Sequence, residues 1–126
     1  MARILVVDDE ASIREILSRR LKQWGHDVMV APTADDALAQ MHEWPAQIIL
    51  CDIVMPIHDG LWLFQQVVKD WPETVFVAVS GVQDVNTVMQ MRKLGAVDFV
   101  PKPIGREMLH QALERALATI EARRSS

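Results

Sequence analysis

Short apolar, β-branched runs alternate along this chain with longer segments whose apolar positions recur at helical spacing. The runs are RILVV (3–7), DVMVA (27–31), QIILC (47–51), VFVAVS (75–80) and VDFV (97–100). They are too short for core helices and too uniformly apolar for half-exposed strands, so the pattern predicts parallel strands covered on both faces. Between them, Ile13, Ile16, Leu17, Leu21 and Trp24 form a helical stripe, with Ser12 and Glu15 at capping-box spacing before it and Gly25 as its left-handed stop. Thr33 with Asp36 repeats the cap signature ahead of Ala37, Leu38, Met41 and Trp44, and Pro45 ends that segment. A third helix is expected over 60–69, stopped at Trp71 and Pro72, and a fourth over 84–94, ending at Gly95. Leu109, Ala112, Leu113, Ala116 and Ile120 mark a fifth.

Five such pairs make a (βα)5 chain, and right-handed crossovers with helices on both faces require the winding to reverse once. The common solution is an α/β doubly wound, flavodoxin-like parallel sheet of order 2-1-3-4-5, with ligands above the carboxyl ends of strands 1 and 3. No linker or low-complexity tract interrupts the pattern, so 1–121 reads as one domain and 122–126 as a polar tail or the start of a linker.

At 126 residues the chain is long enough for one genuine core, and half of its residues are apolar. A formal charge of -4 gives no global positive field, so contact with nucleic acid or an anionic membrane surface is not expected of this domain. The single cysteine, Cys51, excludes an internal disulfide, and its place in IILC reads as a small buried hydrophobe. The start, Met1-Ala2-Arg3, has no apolar signal region, and no apolar stretch has the length of a membrane span. The cytoplasm is the default expectation.

Charge becomes informative where the strands end. The first ends in Asp8 and Asp9, the third in Asp52, the fourth in Ser80, and the fifth leads into Lys102. The second, on the far edge, ends in Ala31 and Pro32. Two like charges about 4 Å apart cost on the order of 4 kcal/mol at a protein-surface dielectric. The run Asp8-Asp9-Glu10 therefore calls for a cation, and converging carboxylates suit a hard divalent ion such as Mg²⁺. Lys102 offers a point charge for a phosphate oxygen and Ser80 a hydroxyl donor. Asp52 can act as a nucleophile, since carboxylates form aspartyl-phosphate intermediates, and in-line phosphoryl transfer needs mainly positioning and charge neutralisation.

In their order and spacing, VVDDE, CDIVMPIHDG, AVSG and GAVDFVPKP resemble the receiver domains of two-component response regulators, over essentially the whole chain. The resemblance implies that Asp52 is the phosphoacceptor for a sensor histidine kinase or phosphotransfer domain. It implies Mg²⁺ held by Asp8, Asp9, Asp52 and the main-chain carbonyl of Val54, and a phosphoryl group met by Lys102 and Ser80. Pro103 would follow a cis bond, and Phe99 would move inward as Ser80 swings over. Such a domain is a signalling module that takes part only in its own phosphorylation and dephosphorylation. Its output surface is the fourth helix, fifth strand and fifth helix, which serves a homodimer, a C-terminal effector domain or a separate output protein. Phe99 lacks a ring hydroxyl and Ser80 replaces the commoner Thr. The resemblance also implies that Val54 and Val82 flank the path of the hydrolytic water, where their apolar side chains neither orient it nor accept its proton, so slow dephosphorylation is expected.

Two other readings compete. A pseudo-receiver would be an interaction module that is not phosphorylated, against which the intact rim set argues. A hydrolase with an aspartyl-phosphate intermediate would place its nucleophile after the first strand in a D-x-D pattern under a cap, and no insertion here is long enough for one. His26, His42, His58 and His110 show no metal-ligand spacing. Arg115, Arg123 and Arg124 read as cations suited to a helix C-terminus.

Overall fold

A computed structural model describes residues 1–95 and 98–125, apart from the side chain of Val82. Its strands are β1 (Arg3–Val7), β2 (Asp27–Ala31), β3 (Ile48–Asp52), β4 (Val75–Ser80) and β5 (Asp98–Pro101). Its helices are α1 (Ala11–Gln23), α2 (Ala34–Glu43), α3 (Gly60–Asp70), α4 (Val85–Lys93) and α5 (Arg106–Ser125). Val97, expected to open the fifth strand, lies outside the described residues, as does Ala96.

All strand pairs are parallel and the sheet order is β2-β1-β3-β4-β5, as the winding argument requires. Successive side chains on a strand point to opposite faces, and the core divides accordingly. Leu5, Val7, Ile49, Cys51 and Phe76 pack against Met41 of α2, Leu63, Phe64 and Val67 of α3 and Met91 of α4. Ile4, Val6, Ile48, Leu50, Val77 and Val79 pack against Leu17 and Leu21 of α1 and Leu109, Ala112 and Leu113 of α5. Full burial contributes roughly 1.5–3 kcal/mol for each large aliphatic side chain. In register, Val7 lies beside both Ala31 and Cys51, Cys51 beside Ala78, and Ser80 beside Pro101, so the carboxyl ends form one rim.

Several expectations need correction. β2 is not covered on both faces: Met29 and Val30 are exposed, because β2 is the edge strand and has a neighbour on one side only. The capping box at Ser12 and Glu15 does not form. α1 starts one residue before Ser12, with Glu10 at the cap position and no side-chain cap bond. The carboxylate of Asp8 instead accepts the Glu10 amide at 2.9 Å, which turns the chain into the helix early, and Glu15 pairs with Arg19 at 2.7 Å. Within the first stripe Leu17 and Leu21 are buried, whereas Ile16 is exposed.

The second cap is present: the Thr33 hydroxyl accepts the Asp36 amide at 3.0 Å. Gly25 and Gly95 close α1 and α4 with φ of 91° and 97°, the left-handed region that favours glycine. The start of the fourth helical segment is a 3₁₀ turn, Val82–Asp84, before α4 proper. α5 continues to Ser125, through most of the segment set apart as a tail, and Arg123 donates to the Glu73 carbonyl at 2.7 Å. Arg115 is not a last-turn cation; it sits mid-helix and binds Asp98 at 2.6 Å, tying α5 to β5.

Candidate functional site

The rim gathers the acids that the strand ends predict. A carboxylate oxygen from each of Asp8, Asp9 and Asp52 lies within 4.8 Å of the others. Asp8 and Asp52 are 4% and 2% exposed, while Asp9 is exposed. Asp8 is fixed by its own loop: its carboxylate holds the Glu10 amide, its carbonyl accepts from Arg14 at 2.7 Å, and its amide donates to the Ala31 carbonyl at 3.2 Å. Burial raises the pKa of Asp8 above the usual carboxylate range; the Glu10 amide opposes this, and the charge of Asp52 adds to it. An all-oxygen, carboxylate-rich cluster on a buried floor has the chemistry of a hard divalent-cation site.

The ammonium of Lys102 stands 2.8 Å from both carboxylate oxygens of Asp52. Burial alone would lower the Lys102 pKa, but the hydrogen bond and charge of Asp52, with Asp8 and Asp84 beyond, raise it. The lysine therefore stays charged. The Lys102-Pro103 bond is cis, and the Lys102 backbone amide donates to the Ser80 carbonyl at 2.9 Å. Ser80 is half-buried at the end of β4 on the same rim. Phe99, half-buried on β5, packs toward the α2, α3 and α4 side, with the Arg92 guanidinium carbon 5.1 Å from its ring centroid.

Beyond Asp52 the loop is tied at both ends. The Val54 amide donates to the Asp52 carboxylate at 3.2 Å, and the Gly60 amide to the Ile53 carbonyl at 2.8 Å. A Cβ on Gly60 would lie 2.8 Å from the Asp52 carbonyl oxygen, so the loop closes only over glycine. The Val54 side chain is exposed at the rim; that of Val82 lies outside the described residues. Cys51 is fully buried, its thiol bonded to the Asp52 carbonyl, and burial pushes its pKa well up, so it is no reactive thiol.

Three features escaped the sequence reading. Asp59 caps α3 by accepting the Trp62 amide at 2.9 Å, a signal available in Asp59-Gly60 before an apolar run. His58 is more than a loop residue: it meets the Asp35 carboxylate at 3.1 Å and stacks on Trp62 at 3.8 Å. Asp84 is buried beside the Ser80 loop. The His58–Asp35 pairing depends on tertiary proximity and carries no local signal, whereas Asp84 holds the Gly81 amide at 2.7 Å from three residues on, the spacing of a capping box.

An open groove of about 590 Å³ leads from Asp8 and Lys102 between Ile13, Ile16 and Leu17 of α1 and Pro103 and Ile104.

Among protein families, residues 4–114 match the response regulator receiver domain. The transcriptional regulatory protein ZraR of Salmonella typhimurium is 36% identical over 115 residues, covering 91% of this chain and 26% of that protein. The nitrogen assimilation regulatory protein NtrX of Azorhizobium caulinodans is 35% identical over 96% of this chain and 27% of its own length. The chain thus spans about a quarter of these curated relatives. The crystal structure of the receiver domain of NtrX from Brucella abortus superposes with a TM-score of 0.85 at 36% identity, covering 92% of this chain and 98% of that one. Topology, rim and family match agree, and the chain belongs to the receiver domains of two-component response regulators.

Proposed function

We propose that Asp52 accepts a phosphoryl group from the phosphohistidine of a sensor histidine kinase or phosphotransfer domain, in a cytoplasmic phosphorelay. The observation that carries this reading is the Asp52 carboxylate itself: nearly buried, paired with Lys102, and facing Asp8 and Asp9 across the rim. Asp8, Asp9, Asp52 and the Val54 carbonyl would hold Mg²⁺, which when bound supplies charge neutralisation for the phosphoryl oxygens.

A carboxylate oxygen of Asp52 forms the new P–O bond as the donor's P–N bond breaks, and the imidazole leaves with the electron pair. Lys102, already charged and within reach, exchanges its Asp52 contact for a phosphoryl oxygen. Ser80 donates its hydroxyl to another, and Phe99 turns inward into the space that Ser80 leaves.

The apolar groove beside Asp8 and Lys102 suits the donor's docking helix, which must approach the acceptor from this end. On the other side, Val85 and Met89 of α4 and Met108 of α5 are exposed, which supports the α4, β5 and α5 face as the surface for a homodimer or an effector. Relatives named as transcriptional regulators support an output to gene expression, through an effector domain of the same protein or a separate one.

Mg²⁺ with beryllofluoride, a phosphoryl mimic, tests the reading. The wild-type chain should gain thermal stability only when both are present, Asp52→Asn should gain none, and Asp9→Asn should bind Mg²⁺ about tenfold more weakly in calorimetry. A wild-type chain indifferent to both would leave the pseudo-receiver reading in place.

A further inference from the structure

Between Asp52 and α3 the chain makes a turn that its own residues disfavour. Ile57 has φ of 70°, the one non-glycine residue in the left-handed region among those described, and its β-branched side chain resists that region. The His58 amide donates to the Pro56 carbonyl at 2.9 Å, so Pro56, Ile57 and His58 form a three-residue turn of the positive-φ kind, the strained one. With its side chain 91% exposed, Ile57 gains little from packing that would offset the strain. Backbone in such a state persists where its surroundings impose it.

Two residues impose it here. Met55, ahead of the turn, is sunk in the core. After the turn, the His58 Nδ1 lies 3.1 and 3.2 Å from the two carboxylate oxygens of Asp35, which belongs to the first turn of α2, 23 residues away in sequence. An ionised carboxylate only accepts hydrogen bonds, so Nδ1 carries a proton. The same ring stacks on Trp62 of α3, with centroids 3.8 Å apart and planes 7° from parallel. An exposed ion pair alone adds little. In His58 the bond and the stack act on one ring and pin it from two helices.

We propose that His58 is a positioning residue for the metal site: clamped between Asp35 and Trp62, it holds the strained turn at Ile57 and, through the backbone of 54–57, the place of the Val54 carbonyl on the rim. This rests on the reading of Val54 as a ligand of Mg²⁺. His58 is no ligand itself.

Calorimetry with Mg²⁺, together with amide exchange of the metal-free chain, tests this. His58→Ala should bind Mg²⁺ about fivefold more weakly than the wild type, with the amides of 54–59 exchanging faster and the sheet still protected. Asp35→Ala should lose as much, and the double variant no more than either alone. Asp36→Ala removes the same charge from the same turn of α2 without touching the clamp, and should bind like the wild type. Glycine adopts a φ of 70° without steric cost. In the Ile57→Gly background the loss from His58→Ala should therefore shrink to about twofold or less, because the turn no longer has to be imposed. Should His58→Ala not fold, Asp35→Ala in the two backgrounds carries the same comparison. Wild-type affinity in folded His58→Ala, an undiminished loss in the Ile57→Gly background, or an Asp36→Ala as weak as Asp35→Ala would each overturn the inference and leave the role of Asp52 untouched. A wild type that binds no Mg²⁺ would overturn the metal reading, and the inference with it.

Discussion

Asp8 is the residue at which function and stability pull apart. Burial and the neighbouring carboxylates lift its pKa above the ordinary 3.8, so between that value and its folded pKa the native chain binds more protons than the unfolded one. Stability from this group is therefore greatest at low pH and falls as pH rises through the folded pKa. Asp8→Asn keeps an oxygen for the Glu10 amide and should stabilise the metal-free fold by about 1 kcal/mol at neutral pH. Urea unfolding should show that gain shrinking toward acid, and a gain that does not depend on pH would contradict burial of the Asp8 charge as its cause. At the other end of the reaction, Val54→Asn with Val82→Glu supplies groups able to orient and deprotonate a water, and should shorten the phosphoryl lifetime roughly tenfold or more. An unchanged decay rate would show that these valines do not set the lifetime. Asp8, Asp9, Asp52, Ser80 and Lys102 were readable in the sequence because each sits at a strand end, and strand order alone brings strand ends together. The pairing of His58 with Asp35 was not, since it joins segments whose proximity only the folded backbone defines, whereas the bond of Asp84 to the Gly81 amide spans three residues and was a local signal left unused.

The elements were legible for the same reason that they are stable: their apolar periods match the two faces of one sheet. Apolar periodicity does not report an element's neighbours. β2 has the composition of a buried strand but lies at an edge, and α1 has a capping-box spacing that the Asp8 turn pre-empts. α3 depends on a cap that also borders the site. Asp59→Ala leaves the Trp62 amide without its acceptor and should lower stability by about 1 kcal/mol. A larger effect should appear in Gly60→Ala, about 2 kcal/mol, because the added methyl meets the Asp52 carbonyl and the Ile53 Cα, backbone atoms that have no room to yield. Denaturant melts of the two variants rank them; the reverse order would contradict the close approach at Gly60.

Across the whole molecule, the sheet gives the chain two unlike ends. The carboxyl rim concentrates buried acids and one bound lysine, whereas α5 runs back along the opposite face and ties itself to β5 through Arg115 and Asp98. In the proposed reading the signal passes from the first to the second by way of the β4 loop and β5, since Ser80 and Phe99 lie on these strands and Lys102 follows β5. Such a passage requires that one carboxylate receives the phosphoryl group. The direct measurement is the intact mass of the chain, with peptide mapping, after incubation with Mg²⁺ and acetyl phosphate. A single acid-labile phosphoryl group is expected on Asp52, lost with Asp52→Asn and with chelation of the metal. Label on another residue, or the same gain in the Asp52→Asn chain, would contradict it.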